Sequence, residues 1–231
     1  MSYYKHIFFD LDKTLWDIYR NAKVSLEEIY VQFKLEELGV NDLNKFILLY
    51  NHYNDFLWEQ YRLNKVNKNA LRTTRFKYTL RDFGIKNNKL TSLISEYFYF
   101  HTPRRGMLIK DSKVVLEYLK PKYKLHIITN GFDDVQYLKL QFAGIHSFFE
   151  NIITSDLAKS KKPNPDIFSF SLKQVNAIKE DCLMIGDDII ADCVGSKEFG
   201  IDQVYFNPDN ISHNYNFTHE ISNLIQLKEI L

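Results

Sequence analysis

The chain has 231 residues, 45% hydrophobic and 26% charged, enough for one large domain or one domain carrying an insertion. Lysine and arginine (30) balance aspartate and glutamate (29), and a net charge of +1 argues against a nucleic-acid polymer or a membrane surface as partner, since both favour a basic excess. Two cysteines exclude a disulfide scaffold or Cys-rich zinc site, no apolar run nears the roughly 18 residues of a membrane span, and the start Met1–His6 lacks a signal-peptide core, so a cytoplasmic, reducing setting is expected.

His6-Ile7-Phe8-Phe9-Asp10-Leu11 is a short apolar run ending in an acid, the pattern of a strand buried on both faces of a parallel sheet. Residues 17–102 then carry apolar positions at helical spacing. Leu26, Ile29, Tyr30 and Phe33 form one stripe, and Phe46, Leu49, Tyr50, Tyr53, Leu57 and Tyr61 form another. Further helices are expected over about 69–83 and 90–100, with Gly39 and Gly84 at helix stops. Pro103 disfavours helix at the residue before it and marks the return to an α/β pattern.

From there helix-like segments (112–119, 133–142, 166–175, 192–199) alternate with strand-like runs (125–129, 151–154, 182–186, 203–206). A strand-like piece and a final helix are expected within 218–231. The expected fold is α/β, a doubly wound, mostly parallel, Rossmann-like sheet with an inserted all-helical domain. The core is expected from residues 1–16 and 103–231, and the insertion from 17–102.

In such sheets ligands bind beyond the carboxyl ends of the strands, so the residues that end the apolar runs carry the functional argument. Asp10-Leu11-Asp12-Lys13-Thr14 places two acids beyond a strand tip, where they suit a nucleophile with a general acid/base, or metal ligation. Thr129-Asn130-Gly131 offers a hydroxyl, an amide and a flexible backbone to an anion. Lys161-Lys162-Pro163-Asn164-Pro165-Asp166 holds a cation on a stiff loop that opens a helix. Gly186-Asp187-Asp188, with Asp192 beyond, is an acidic strand end of the kind that binds Mg²⁺. Taken singly, each also reads as a turn, a helix cap or a solvated lysine pair. Together, in one order along one sheet, they supply the parts of phosphoryl chemistry.

These residues resemble the haloacid dehalogenase-like (HAD) superfamily. Phe9-Asp10-Leu11-Asp12-Lys13-Thr14-Leu15 is similar to its DxDxT motif. Thr129 resembles motif II, Lys162-Pro163-Asn164-Pro165-Asp166-Ile167-Phe168 motif III, and Gly186-Asp187-Asp188 with Asp192 motif IV. The insertion resembles a type C1 cap. A narrower resemblance, to the bacterial pyrimidine 5′-nucleotidase group, rests on Leu57–Tyr61, Thr74-Arg75-Phe76 and Thr129-Asn130-Gly131 with Gln136-Tyr137. Lys13 stands where many relatives carry Gly, Asp or Asn, and Asp188 where Ser is common.

The resemblance implies an Mg²⁺-dependent phosphate monoester hydrolase working through an aspartyl-phosphate on Asp10, with Asp12 as acid and base. Thr129, Asn130, Gly131 and Lys162 are expected to bind the phosphoryl group, and Asp10, Asp12 (through its carbonyl) and Asp187 to hold the metal. Asp188 and Asp192 are expected outside the direct ligand set. Pyrimidine nucleoside 5′-monophosphates are the expected substrates, with a sugar phosphate or phosphoglycolate as the alternative. A phosphomutase, a haloacid dehalogenase (which needs neither Asp12 nor metal) and a non-enzymatic phospho-accepting module fit less well. Trp58, Arg75 and Phe76 are candidates to meet a nucleobase, and Arg104 and Arg105 to help hold phosphate, each also readable as packing or solvated surface. The expected partner is a small phosphate ester, with no nucleic-acid polymer and no membrane, in a monomer or homodimer.

Overall fold

A computed structural model describes residues 4–231, so the leader-free start expected at Met1–Tyr3 lies outside the described residues. The chain divides into two compact units, one of residues up to Ile18 with Gly106–Leu231, the other Tyr19–Arg105.

The first unit is built on a six-stranded parallel sheet in the order β3-β2-β1-β4-β5-β6. Its strands are β1 (His6–Phe9), β2 (Lys124–Thr129), β3 (Phe149–Thr154), β4 (Cys182–Gly186), β5 (Asp202–Phe206) and β6 (His219–Ile221). All of β1 and β4 is buried, as expected of near-continuous apolar strands covered on both faces. Phe9 lies opposite Ile127 on one side and Ile185 on the other. The chain beyond Phe9 therefore emerges level with the ends of β2 and β4, where the strand order reverses, the point at which such sheets bind ligands.

Two apolar layers sandwich the sheet. Ile7, Phe9, Ile127, Ile185 and Val204 pack on one side with Val115, Leu116 and Leu119 of α5 (Ser112–Leu119). Phe8, Ile128, Ile153 and Met184 pack on the other with Ile167 and Phe168 of α8 (Pro165–Val175).

The second unit contains α1 (Ile18–Gln32, whose first residue belongs to the sheet unit), α2 (Leu43–Arg62), α3 (Lys68–Arg81) and α4 (Asn88–His101). Asp42, Asn67 and Asn87 cap the last three through side-chain oxygens, satisfying amides that an open helix end would leave unpaired. Phe46, Tyr50, Phe76 and Phe98 form its aromatic centre, so these stripes are core packing. Among the described residues no helix is long and apolar enough to cross a membrane.

The segment expected as one helix over 192–199 is instead a π-helical turn, Ile189–Val194, running into α9 (Gly195–Phe199). Asp188 starts it by accepting from the amides of Ile190 and Ala191. Gly195 is small because Pro163 and Phe168 lie against it, with a Cβ there meeting Pro163 Cβ at 2.7 Å.

At the opposite end of the sheet, His126 is fully buried between His6 (Nδ1···Nε2 3.1 Å) and Asn151 (Nδ2···Nδ1 3.2 Å). Burial, then His6, Lys124 and Lys120, push its pKa down to about 3, so the ring is neutral in the folded chain. The unfolded chain takes up a proton near pH 6.5 and the folded chain does not until about 3, so this group's contribution is complete above 6.5 and is lost as pH falls. The unfolding free energy of wild type relative to His126→Phe, from denaturant titrations, is expected to decline by up to about 1.4 kcal/mol per pH unit across that window. A flat difference would refute the assignment.

Candidate active site

Asp10 follows β1 directly, and its amide donates to Ile185 O at 2.9 Å, carrying the sheet pairing one residue past the strand. Its carboxylate is buried, and Lys162 Nζ donates to Asp10 Oδ1 at 2.6 Å. Lys162 Nζ also donates to Ile128 O at 2.7 Å and lies 2.6 Å from Asp192 Oδ1, an ion-pair contact whose angle falls outside hydrogen-bond geometry. One buried ammonium thus joins the ends of β1 and β2 to the turn after β4.

Lys162 is held through its own backbone. Its amide donates to Asn130 Oδ1 (2.8 Å) and its carbonyl accepts from Asn130 Nδ2 (3.0 Å). The Asn130 side chain therefore locks the loop before α8 onto the end of β2.

At Thr129, Oγ1 accepts from the Gly131 amide (3.1 Å) and from Gln136 Nε2 (2.8 Å). With both acceptor positions of the hydroxyl occupied, its proton is directed to an outward acceptor. Gly131 has no room for a side chain, since a Cβ there would meet Gln136 Nε2 at 1.7 Å. Gly186 is constrained in the same way by Asp192, whose Oδ2 would lie 2.2 Å from a Cβ.

Asp187 follows β4 and accepts from Thr14 Oγ1 at 3.0 Å. Asp192 Oδ2 accepts from the Asp188 amide at 3.0 Å, so both of its oxygens are engaged. Carboxylate oxygens of Asp10, Asp187 and Asp192 lie within 4.8 Å of one another. Burial raises all three carboxyls above their usual range, with mutual repulsion adding to it and Lys162 opposing it at Asp10 and Asp192. Burial by itself would lower Lys162, but Asp10 and Asp192 hold it above its usual value. Lys162 is the ammonium in contact with the acids, Lys13 acts on Asp187 through its charge, and two cations against three acids leave the cluster short of positive charge. A hard divalent cation that takes oxygen ligands, such as Mg²⁺, fits this donor set.

Two residues that sequence reasoning did not assign to the site join it. Both oxygens of Asp12 accept from Lys139 Nζ (2.6 and 2.7 Å), and Oδ2 also accepts from Gln136 Nε2 (3.0 Å). Gln136 and Lys139 lie three residues apart on α6 (Asp133–Phe142), on one face of the helix. That spacing, two polar residues on the face that packs inward, was the signal available in the sequence. Asp188 contributes its side chain to capping the turn, as described above.

In the helical unit, Phe76 is core, and Arg75 is buried against Phe98 with Nη1 on Asn54 Oδ1 at 2.8 Å. Trp58 meets the Tyr61 ring edge-on. Arg105 pairs with Glu28 and Ser25, and Arg104 lies over Phe100 at 3.9 Å, so both arginines have partners within their own unit.

Residues 7–206 match the family described as haloacid dehalogenase-like hydrolase. The chain is 30% identical to pyrimidine 5′-nucleotidase PynA of Streptococcus pneumoniae, over 91% of this chain and 87% of that one. It is 29% identical to the glyceraldehyde 3-phosphate phosphatase of Pyrococcus abyssi, over 87% of this chain and 81% of that one. The magnesium-bound crystal structure of the HAD-hydrolase YfnB from Bacillus subtilis superposes with a TM-score of 0.87 at 25% identity, covering 98% of each chain.

Proposed function

Because the chain belongs to the haloacid dehalogenase-like hydrolases and is a phosphatase of that family, we propose that it hydrolyses pyrimidine nucleoside 5′-monophosphates in the cytoplasm through an aspartyl-phosphate on Asp10. The observation that carries the chemistry is the buried contact of Lys162 with Asp10 at the centre of the sheet, beside a cluster of acids able to hold a cation. The choice of nucleotide rests on the similarity to PynA along nearly the whole chain.

In this reading an Asp10 oxygen attacks phosphorus and the ester P–O bond breaks. Asp12 gives its proton to the departing alkoxide and then takes one from the water that attacks the aspartyl-phosphate, releasing phosphate and restoring both acids. Lys162 and the Thr129 hydroxyl hold the phosphoryl oxygens, with backbone amides of the Asn130–Gly131 turn beside them. Asp10, Asp187 and the Asp12 carbonyl would hold Mg²⁺, while Asp192 orients Lys162 and Asp188 shapes the turn. When bound, the metal offsets the repulsion between an anionic nucleophile and an anionic substrate. The helical unit serves as the cap that selects the leaving group.

The test is phosphate release from dTMP, dUMP, UMP, purine nucleotides, glyceraldehyde 3-phosphate, other sugar phosphates and phosphoglycolate, each with Mg²⁺ or with EDTA. Pyrimidine nucleotides are expected to give a kcat/KM at least about tenfold above the rest, a difference of about 1.4 kcal/mol in transition-state binding, and EDTA to abolish release. A preference for a non-nucleotide ester would overturn the nucleotidase reading and leave the Asp10 chemistry in place.

A further inference from the structure

Lys139 is a lysine that sequence reading would leave in solvent, yet it is 8% exposed. Its ammonium lies over the Trp16 ring, with Nζ 4.6 Å from the centroid, and meets both oxygens of Asp12. Gln136, one helical turn earlier, binds Asp12 Oδ2 and Thr129 Oγ1 at once. The space Gln136 occupies is the space a side chain at residue 131 would fill. Three features of the sequence, a glycine at 131, an amide at 136 and an ammonium at 139, thus converge on the direction of one carboxylate. A free aspartate beyond a strand tip rotates about two side-chain torsions, whereas one held at both oxygens by a fixed ammonium and at one by an amide has a single orientation.

We propose that Lys139, supported by Gln136, is the positioning residue for Asp12, fixing its carboxylate relative to the phosphate-binding Thr129. The proposal deepens the reading of Asp12 as acid and base and rests on it. Lys139 acts through Asp12 and touches no reacting atom. Its effect therefore falls on the steps in which Asp12 moves a proton. Esters with poor leaving groups need that proton when the P–O bond breaks, and all esters need Asp12 when water attacks the aspartyl-phosphate. A very good leaving group departs without help, so only the second step slows.

The test compares wild type, Lys139→Met, Lys139→Arg and Asp12→Asn with Mg²⁺, on a nucleoside monophosphate and on 2,4-dinitrophenyl phosphate. Methionine keeps an unbranched apolar side chain of similar length and removes the charge. Lys139→Met is expected to lower kcat on the nucleotide about 10- to 100-fold with KM nearly unchanged. On dinitrophenyl phosphate it is expected to release a burst of dinitrophenol close to one equivalent per enzyme, followed by slow turnover. Lys139→Arg, which keeps the charged contact, is expected to restore most of kcat. In the Asp12→Asn background, Lys139→Met is expected to cost nothing further.

An increase in KM alone, independent losses in the double variant, or an Arg variant as poor as the Met variant would overturn the proposal. If Lys139→Met does not fold, Lys139→Gln is read against the same outcomes. Failure of the underlying reading shows separately, as an Asp12→Asn enzyme that turns over like wild type.

Discussion

Replacing Asp10 by asparagine or alanine is expected to lower phosphatase turnover by at least about 10⁴-fold and to abolish any acid-stable or trapped phosphoprotein, because the proposed nucleophile is gone and its acidic neighbours are held by other partners. Asp187 and Asp192 are close enough to share a cation with Asp10, but Thr14 holds the first, and Lys162 and the Asp188 amide hold the second. The same substitutions are not expected to destabilise the fold. Lys162 retains Asp192 and Ile128 O, and one of three crowded buried acids is removed. The melting temperature should hold or rise while activity vanishes. That combination separates lost chemistry from lost structure. Activity within tenfold of wild type would end the aspartyl-phosphate reading.

Lys162→Met is expected to fail in both respects. Truncating one partner of a buried ion pair leaves the other charge uncompensated, typically at 3–5 kcal/mol, and here the ammonium serves two carboxylates and a carbonyl. A loss of about 3–5 kcal/mol in unfolding free energy is therefore expected at a pH alkaline enough to keep both acids ionised. Asp10 and Asp192 already sit above the usual carboxylate range, and without the lysine they are pushed further up. Protonating them removes the need for the ammonium, and Asp10 sits at about 7 even with the lysine in place, so the deficit is expected to shrink as pH falls from the alkaline side to about 7 and to change little below it. Activity should drop by about 10³-fold from loss of the proposed phosphoryl contact alone. Denaturant titrations of wild type and variant at one alkaline and one mildly acidic pH check the stability claim, and an unchanged midpoint at the alkaline pH would refute it.

Much of the sheet and its strand-end residues was legible because parallel strands buried on both faces are written as unbroken apolar runs, and the polar residues that end them fall where such sheets bind ligands. Asp10, Thr129 and Asp187 could be placed this way with no knowledge of contacts. Partnerships across long separations could not. Nothing local pairs Lys162 with Asp192, thirty residues further on, or ties the Asn130 side chain to the backbone of Lys162. Lys139 escaped for a different reason. A lysine in the last turn of a helix is favourable wherever it points, so its residue type carries no sign that it is buried. The start of β3 at Phe149 was hidden by the short turn His146–Phe148 that leads into it. The π-helical turn after Asp188 was hidden because its apolar spacing reads as ordinary helix.

In the sheet unit, the Asp17 amide donates to Met107 O at 3.1 Å, so the chain leaves for the helical insertion and returns from it at neighbouring points. This has a consequence for biosynthesis. Of the six strands of this sheet β1 leaves the ribosome first, yet its partners begin only at Lys124 and Cys182. The contiguous segment Tyr19–Arg105, with its own aromatic centre, is complete before either partner exists. Closing a flexible loop becomes harder as its length grows, by about 0.6 kcal/mol for each doubling. An insertion that has already folded takes most of those residues out of the loop, so the nascent strand waits for its neighbours across a splint instead of a long slack tether.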